Sequence, residues 1–426
     1  MNSKTLTLLT VLGCALCVTF TNTALANHRA GDFELPEIMT AGDFNGDGNL
    51  DLAVNLSGFD NFAVLTGDAQ GGFTLKRHVD EDTLQKSIVS GDVNGDGKLD
   101  IVSISQWGYD IKVYLGDGAG NFQLANVLNG DGEPTRLRLV DLNHDGNLDI
   151  VANAPTEGKI LIYYGLGGGA FTTSAVELSG YMNDFGLKTG DFNGDGNVDI
   201  AVAYFTDTSS TGSHLQILLG DGAGNFTPGQ NLTINPQCNN IEVYDLNKDG
   251  KPDLILAGAG SENVAGIFIS TYLGDGAGNF TQKQIIDLGV GSIKGEISIG
   301  DFNEDGNIDV AFPLATVGGA QGTVAGMPRS SRSQDSSTLA PSPDSLPPST
   351  CVLIFLGDGT GNFVQGQSAT VGQEPGSTWA ADFNKDGHLD LACSNRTDGT
   401  LSILHGNGDG TFSTYQTIQL NSLATP

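Results

Sequence analysis

Apolar residues in this chain come in short runs, never over a useful length in the i, i+3, i+4 spacing of an amphipathic helix. One set of runs reads LDLAV (50–54), LDIVS (99–103), LDIVA (148–152), VDIAV (198–202), PDLIL (252–256), IDVAF (308–312) and LDLAC (389–393). Before each stands a loop of Asp, Asn and Gly, and before that a shorter apolar stretch such as SIVSG (87–91) or EISIG (296–300). A third run leads into a glycine turn: VYLGDGAGNF (113–122), ILLGDGAGNF (217–226), TYLGDGAGNF (271–280) and IFLGDGTGNF (354–363). Looser copies are LTGDAQGGF (65–73), YGLGGGAF (164–171) and HGNGDGTF (405–412), and a fourth run follows, as in FQLANVL (122–128). Runs of Val, Ile, Leu, Tyr and Phe bounded by Gly, Asn and Asp are the signal of strands and tight turns.

The order of the four elements is constant, and the acidic loop marks the period. The pattern Asp-x-Asn-x-Asp-Gly-x-x-Asp starts at Asp43, Asp92, Asp141, Asp191, Asp245, Asp301 and Asp382, with spacings of 49, 49, 50, 54, 56 and 81. A period near 50 residues holding four strands predicts one propeller blade per period. The expected fold is therefore all-β: a seven-bladed β-propeller with four antiparallel strands per blade and the acidic loops between strands 1 and 2. A straight solenoid is the alternative. Blades are expected at about 36–84, 85–133, 134–182, 183–236, 237–291, 292–374 and 375–420, within a propeller spanning 36–420. Residues 27–35 form an N-terminal segment in which GDFEL (31–35) is a candidate ring-closing strand. The long sixth spacing holds a Ser/Pro-rich insertion, residues 328–350, between strands 2 and 3; its composition cannot bury a core and predicts disorder.

Composition narrows the setting. The 61 glycines fit a chain of turns, and a formal charge of −31 excludes nucleic acid or an anionic membrane surface as partner, since both need basic patches. Residues 1–26 resemble an export signal, with Lys4 ahead of the apolar stretch LTLLTVLGCALCVTF (6–20) and ALA (24–26) as a cleavage site. A secreted, cell-surface or periplasmic location follows. A transmembrane anchor is one alternative, and a lipoprotein anchored at Cys14 of VLGC is another; no other segment is long enough to span a bilayer. Beyond the signal only Cys238, Cys351 and Cys393 remain, too few for a disulfide framework, and the sequence does not say whether any of them pair.

The acidic loops carry the chemistry. Two unit charges ~4 Å apart near a protein surface repel by roughly 4 kcal/mol, so a compact loop with three carboxylates calls for a counter-ion. The candidate ligands are Asp43, Asn45, Asp47 and Asp51; Asp92, Asn94, Asp96 and Asp100; Asp141, Asn143, Asp145 and Asp149; Asp191, Asn193, Asp195 and Asp199; Asp245, Asn247, Asp249 and Asp253; Asp301, Asn303, Asp305 and Asp309; Asp382, Asn384, Asp386 and Asp390. Positions 1, 3, 5 and 9 offer side-chain oxygens, position 7 a carbonyl, and the glycine at 6 a sharp turn. That donor set suits Ca²⁺, up to seven ions, better than Mg²⁺ or Zn²⁺. A plain hairpin turn has no use for an acid at position 9. The loop opens like an EF-hand or a dockerin, but position 12 is Val54, Ser103, Ala152, Val202, Leu256, Phe312 or Cys393, none of them acidic.

With these loops and strands in place, the chain resembles the FG-GAP and VCBS-type repeat proteins: integrin α-subunit propellers, bacterial secreted repeat proteins, some fungal lectins and some polysaccharide lyases. The resemblance covers roughly residues 36–420 and is nearer the bacterial form, since a full Phe-Gly…Gly-Ala-Pro signature is missing. It implies that all seven loops join strands 1 and 2 of a blade and hold calcium. The role expected of the ions is structural, with weak extracellular-type affinity.

Partner sites are expected where the repeats differ. Trp107 and Tyr109 in QWGYD (106–110), Phe59 in GFDNF (58–62), and Tyr181 and Met182 in GYMND (180–184) stand in connections opposite the acidic loops, where exposed aromatics suit sugar stacking or a protein hot spot. Three residues before each motif stand Thr40, Val89, Arg138, Lys188, Glu242, Ser298 and Trp379. If strand 1 is innermost, this register lines the axis, and Arg138, Lys188 and Trp379 join the ligand-binding candidates; a solvated, self-paired lining is the alternative. Sequons at Asn55, Asn225, Asn231, Asn279 and Asn395 matter only in a glycosylating host.

No catalytic motif is present: the six histidines are scattered, and neither a nucleophile elbow nor a metalloprotease motif nor a phosphate loop occurs. The expected function is a secreted, calcium-binding binding or adhesion module for carbohydrate or an extracellular protein. The alternatives are a polysaccharide lyase working through Arg138 and Lys188, and a purely structural surface protein. The ligand and the oligomeric state are not legible in the chain.

Overall fold

The computed structural model describes residues 35–420, apart from 58–60, 81–84, 106–108, 179–185, 206–212, 235–237, 260–265, 290–292, 294 and 316–349. The proposed signal and the insertion 328–350 (Thr350 excepted) fall outside these residues, as do Phe59, Trp107, Tyr181 and Met182.

The described residues build seven antiparallel sheets, each from strands consecutive in the chain, and contain no helix. Blade 1 runs Leu35–Gly42, Asp51–Ser57, Asn61–Gly67 and Phe73–Asp80, in that order from the axis outward. The inner strands of the other blades are Gln85–Gly91, Leu137–Val140, Leu187–Gly190, Asn240–Tyr244, Ser298–Gly300 and Pro375–Ala381. The fold is a seven-bladed propeller with four strands per blade. In blade 6 the fourth strand is broken into Phe363–Gln365 and Ala369–Thr370, both paired with Cys351–Gly357. Residues 31–34 of the candidate ring-closing segment lie outside the described residues. Leu35 belongs to the inner strand of blade 1, and among the described residues the sheet of blade 7 consists of its own four strands, Pro375–Ala381 to Phe412–Gln419.

Strand boundaries follow the repeat. Every second strand begins at the ninth-position aspartate, every third strand ends at the glycine of the LGDG-type turn, and every fourth strand begins at a phenylalanine. Second strands such as Asp100–Ser105 and Asp149–Ala154 are buried along their whole length because both faces are covered by neighbouring blades. That double burial explains why they read as near-continuous apolar runs instead of alternating ones. Leu52, Val54 and Leu56 point toward blade 7, into a layer with Ala392, Leu401 and Ile403, while Ala53 points the other way, into a layer with Ile88 and Ile101 of blade 2. The core is thus a set of layers between blades, each fully buried aliphatic side chain contributing about 1.5–3 kcal/mol.

The second position of each acidic loop is a buried apolar anchor of the joint: Phe44, Val93, Leu142, Phe192, Leu246, Phe302 and Phe383. Where it is Phe, its ring meets the first Phe of the next blade's outer strand edge-on: Phe44 with Phe122, Phe192 with Phe280, Phe302 with Phe412, and Phe383 with Phe73, at 5.2–5.6 Å. Gln230, Gln284 and Gln416 clasp the backbone of that same Phe across the blade 4–5, 5–6 and 7–1 joints: the Phe N–H donates to the glutamine Oε1 and the glutamine Nε2 to the Phe carbonyl. The ring closes between blades 7 and 1 through Phe73–Phe383, the Gln416 clasp and the Arg396–Glu37 ion pair at 2.8 Å.

Candidate metal loops and the axial cavity

Each acidic loop folds onto its own carboxylates. In loop 1, Asp43 accepts the N–H groups of Gly46, Asp47 and Gly48 at 2.7–3.1 Å, Asn45 Oδ1 accepts that of Asp47, and Asp47 Oδ1 that of Asn49. In all seven loops the sixth-position glycine donates to the first aspartate at 2.8–3.0 Å. These glycines hold φ between 81° and 95°, a region open to glycine and costly for other residues. Such an amide nest stabilises negative charge by itself, so backbone dipoles answer part of the repulsion that the acid spacing implies.

The ninth-position acid has a role that the sequence reading did not assign. Asp51, Asp100, Asp149, Asp199, Asp253, Asp309 and Asp390 are fully buried. One oxygen of each accepts the N–H of the second loop residue at 2.8–3.0 Å. The other accepts the N–H of the glycine that ends strand 3 (Gly67, Gly116, Gly165, Gly220, Gly274, Gly357, Gly406) at 2.7–2.9 Å. The same glycine packs so closely on the carbonyl of the eighth loop residue that a Cβ would overlap it in every blade. One aspartate therefore stitches the 1–2 loop to the 3–4 turn, and one glycine lets it. Burial pushes these seven carboxyls above the usual range, Asp309 to about 6, with the loop's other acids adding to the rise in most of them. The exposed turn acid Asp117 goes the other way, to about 2, because the Asn121 side chain and the turn amides bond its charged form.

A further set of side chains ties one loop to the next. At the fourth position, four blades carry a residue other than glycine: His144, Lys248, Glu304 and Lys385, all with φ near 60°. His144 Nε2 meets Asn197 Oδ1 of the next loop at 3.2 Å, Lys248 lies against Gly306, Glu304 pairs with His388, and Lys385 Nζ donates to Gly48 O and Asn49 Oδ1 at 2.8 and 2.9 Å. Loops 5, 6, 7 and 1 thus form an unbroken chain around the ring.

The donor chemistry fits a hard divalent ion. Every loop offers carboxylate, amide and carbonyl oxygen, and no lysine or arginine among the described residues pairs with a buried ninth-position acid. In six loops the Nδ2 of the third-position asparagine sits on the fifth-position carboxylate at 2.8–3.3 Å, and Asn45 Nδ2 also reaches within 3.5 Å of Asp51. In loop 1 that amide nitrogen therefore stands between the carboxylates of Asp47 and Asp51. Turning that amide over would present its oxygen there. As the loops stand, no three carboxylate, imidazole or thiolate groups among the described residues converge tightly enough to hold an ion.

The inner strands enclose an axial cavity of about 420 Å³. All seven residues that stand three positions before the loops line it: Thr40, Val89, Arg138, Lys188, Glu242, Ser298 and Trp379. Lys188 pairs with Glu242 of the adjacent blade at 2.6 Å. Arg138 of blade 3 reaches Glu296 of blade 6, three blades away, at 3.5 Å, and also donates to Leu137 O at 2.7 Å. Burial alone would push the Glu296 carboxyl up, but Arg138, Arg136 and Lys188 overcome it and hold it below the usual range. Glu296 was missed in the sequence because it stands five residues before its loop, outside the register of the others. On the neutral side of the cavity Thr40 Oγ1 and Ser90 Oγ lie 2.8 Å apart.

Elsewhere, Tyr109 sits between strands 2 and 3 of blade 2, with Lys86 Nζ 5.7 Å from its ring centroid and its hydroxyl bonded to Glu133. It is part of a local cluster, and the structure does not bring it to the axial residues. The sequon residues Asn55 and Asn395 are fully buried. Cys238, Cys351 and Cys393 are buried free thiols, raised by burial, the first two to about 12 and about 11. No helix among the described residues is long and apolar enough to cross a membrane.

Comparison with solved structures returns the same architecture at low identity. A protein from Lactobacillus plantarum is 12% identical with a TM-score of 0.58, covering 90% of this chain and 96% of that one. A putative 6-phosphogluconolactonase from Bacteroides fragilis is 13% identical with a TM-score of 0.57, covering 92% and 97%. Another from Bacteroides uniformis is 12% identical with a TM-score of 0.53, covering 91% and 96%. At such identities the likeness is one of fold. No curated protein matches the chain. The FG-GAP-like repeat model matches residues 43–103, 92–152, 141–202, 191–256, 245–312 and 382–426, most of the chain, each match beginning at the first aspartate of a loop. With the loop, the stitching aspartate and the strand-ending glycine repeated in every blade, the chain belongs to the FG-GAP-like repeat family.

Proposed function

We propose that the protein is a secreted, calcium-stabilised propeller that acts as a binding or adhesion module for carbohydrate or an extracellular protein. One observation carries the reading: seven loops kept alike stand beside an axial register in which the seven blades all differ. Sameness in every blade is what a load-sharing element needs, whereas divergence of the side chains that line one cavity is what recognition needs.

Calcium is the natural partner of the loops. Two charges per ion would offset the buried ninth-position acids, and side-chain oxygens from positions 1, 3, 5 and 9 would hold it, with a carbonyl from position 7. Seven ions would bring the charge after signal removal from about −32 to about −18, still acidic enough to resist non-specific association. The export-like residues 1–26 support a compartment where calcium is abundant.

The test is a glycan array run beside a lyase assay on the same polysaccharides, with calcium present. Saturable retention without release of unsaturated product supports the binding module. Product formation that scales with enzyme and is lost in Lys188→Met would instead establish the lyase.

A further inference from the structure

The axial cavity is two-sided. Blades 3, 4, 5 and 6 place two cations and two anions on one arc, already paired as Arg138–Glu296 and Lys188–Glu242. Blades 7, 1 and 2 complete the ring with the indole of Trp379 and the hydroxyls of Thr40 and Ser90. In the sevenfold order, blade 7 lies across the axis from blades 3 and 4, so Trp379 stands opposite Arg138 and Lys188.

We propose that this cavity binds a neutral pyranose ring, its apolar face on Trp379 and its hydroxyls directed to Lys188, Glu242 and Glu296. The proposal rests on the binding role above and names the site and ligand class within it. Charge balance selects the class. Among the lining residues two cations face two anions, so an anionic guest meets no unpaired cation and a cationic guest no unpaired acid, and either would be desolvated without a counter-charge of its own. A neutral polyol keeps both pairs and uses what they leave over. Lys188 spends one of its three protons on Glu242 Oε2, its side chain is 26% exposed, and each carboxylate has a second oxygen. The Arg138–Glu296 contact, at 3.5 Å, is at the limit of a hydrogen bond and leaves guanidinium donors to spare. A sugar ring also carries the C–H face that an indole stacks against. The volume, about 420 Å³, lies within the roughly 300–1,000 Å³ of small-molecule sites.

The experiment is calorimetric titration of the calcium-loaded full chain with the methyl pyranosides of glucose, galactose, mannose and rhamnose, and with glucuronate and choline as charged controls. At least one neutral glycoside is expected to bind saturably while both charged probes do not. Trp379→Ala should weaken that binding about tenfold or more, Trp379→Phe less, and Lys188→Met by a similar factor, with thermal unfolding of each variant showing that the fold is intact. Tryptophan emission should shift on binding in the unmodified protein and not in Trp379→Phe. Failure of all four neutral glycosides, preference for a charged probe, or unchanged affinity in Trp379→Ala overturns the proposal. If an array glycan binds but leaves Trp379 emission and the Trp379→Ala affinity untouched, the cavity assignment falls and the binding role stands. If no glycan or protein binds at all, both fall.

Discussion

The acidic loops and the axial cavity are built from the same seven inner strands, three residues apart, and they relate the blades to one another in opposite ways. In the loops every blade repeats the same hydrogen bonds with nearly the same lengths, from Asp51 in blade 1 to Asp390 in blade 7. At the cavity position three residues before each loop no two blades carry the same side chain, and the contacts that form join unlike residues, Lys188 to Glu242 of the adjacent blade and Arg138 to Glu296 three blades away. Repetition spreads one stabilising device evenly around a closed ring. Divergence makes one wall distinguishable from another. On this reading, damage to a loop is a stability event, and damage to the lining is a recognition event.

The hardest way to break the contrast is to remove metal from all seven loops together. Chelation is expected to lower the calorimetric melting temperature by more than about 10 °C, with recovery on adding calcium back. Next in size, Asp100→Ala strips the acceptor from two buried N–H groups, those of Val93 and Gly116. At roughly 1–3 kcal/mol for each orphaned donor, the loss should appear in denaturant melts with or without calcium. Asp96→Ala, which exposes no buried donor, should weaken blade 2 only when calcium is present and should not abolish the fold. Gly116→Ala drives a Cβ into Leu99 O and should cost about 1–3 kcal/mol in either condition.

A gentler probe is pH. The buried ninth-position acids have folded pKa values above their unfolded ones, so between those values the folded, metal-free chain holds more protons than the unfolded chain. Stability of metal-free protein should therefore rise as pH falls from neutrality through about 6 toward 4, the reverse of ordinary acid denaturation. Below about 4 the turn acids such as Asp117, whose folded values are lowered, must be protonated, and stability should fall again. Calcium-loaded protein should lose stability over the upper window, because protons and ions compete for the same oxygens. Thermal scans across pH with and without calcium would show the two opposite slopes. The smallest effect belongs to the cavity: the double substitution Lys188→Met with Glu242→Gln removes both charges at once and should move stability by less than about 1 kcal/mol.

Much of this was legible in the residues. Spacing, turn glycines and apolar runs specify seven blades because one short unit must bury both faces of its second strand, and only neighbouring units can cover them. The axial register was legible too, since Arg138, Lys188, Glu242 and Trp379 interrupt a position flanked by apolar residues. Other features have signals that a linear reading does not weight. Phe44 and its counterparts look like filler inside an acidic motif, yet they anchor the blade joints. The glycine of LGDG reads as a turn residue, whereas its work is to approach the Leu50-type carbonyl and donate to Asp51. Glu296 depends on which blades face each other across the ring and the Lys385 link on which blades meet where it closes, and no local pattern encodes either.

The most direct test of the account is a count of metal on the purified chain. Elemental analysis after dialysis to equilibrium against several millimolar calcium, with the calcium of the dialysate subtracted, should return close to seven calcium ions per chain, fewer by one in the Asp96→Ala variant. A chain that retains no alkaline-earth metal, and whose count is the same with and without Asp96, would contradict it.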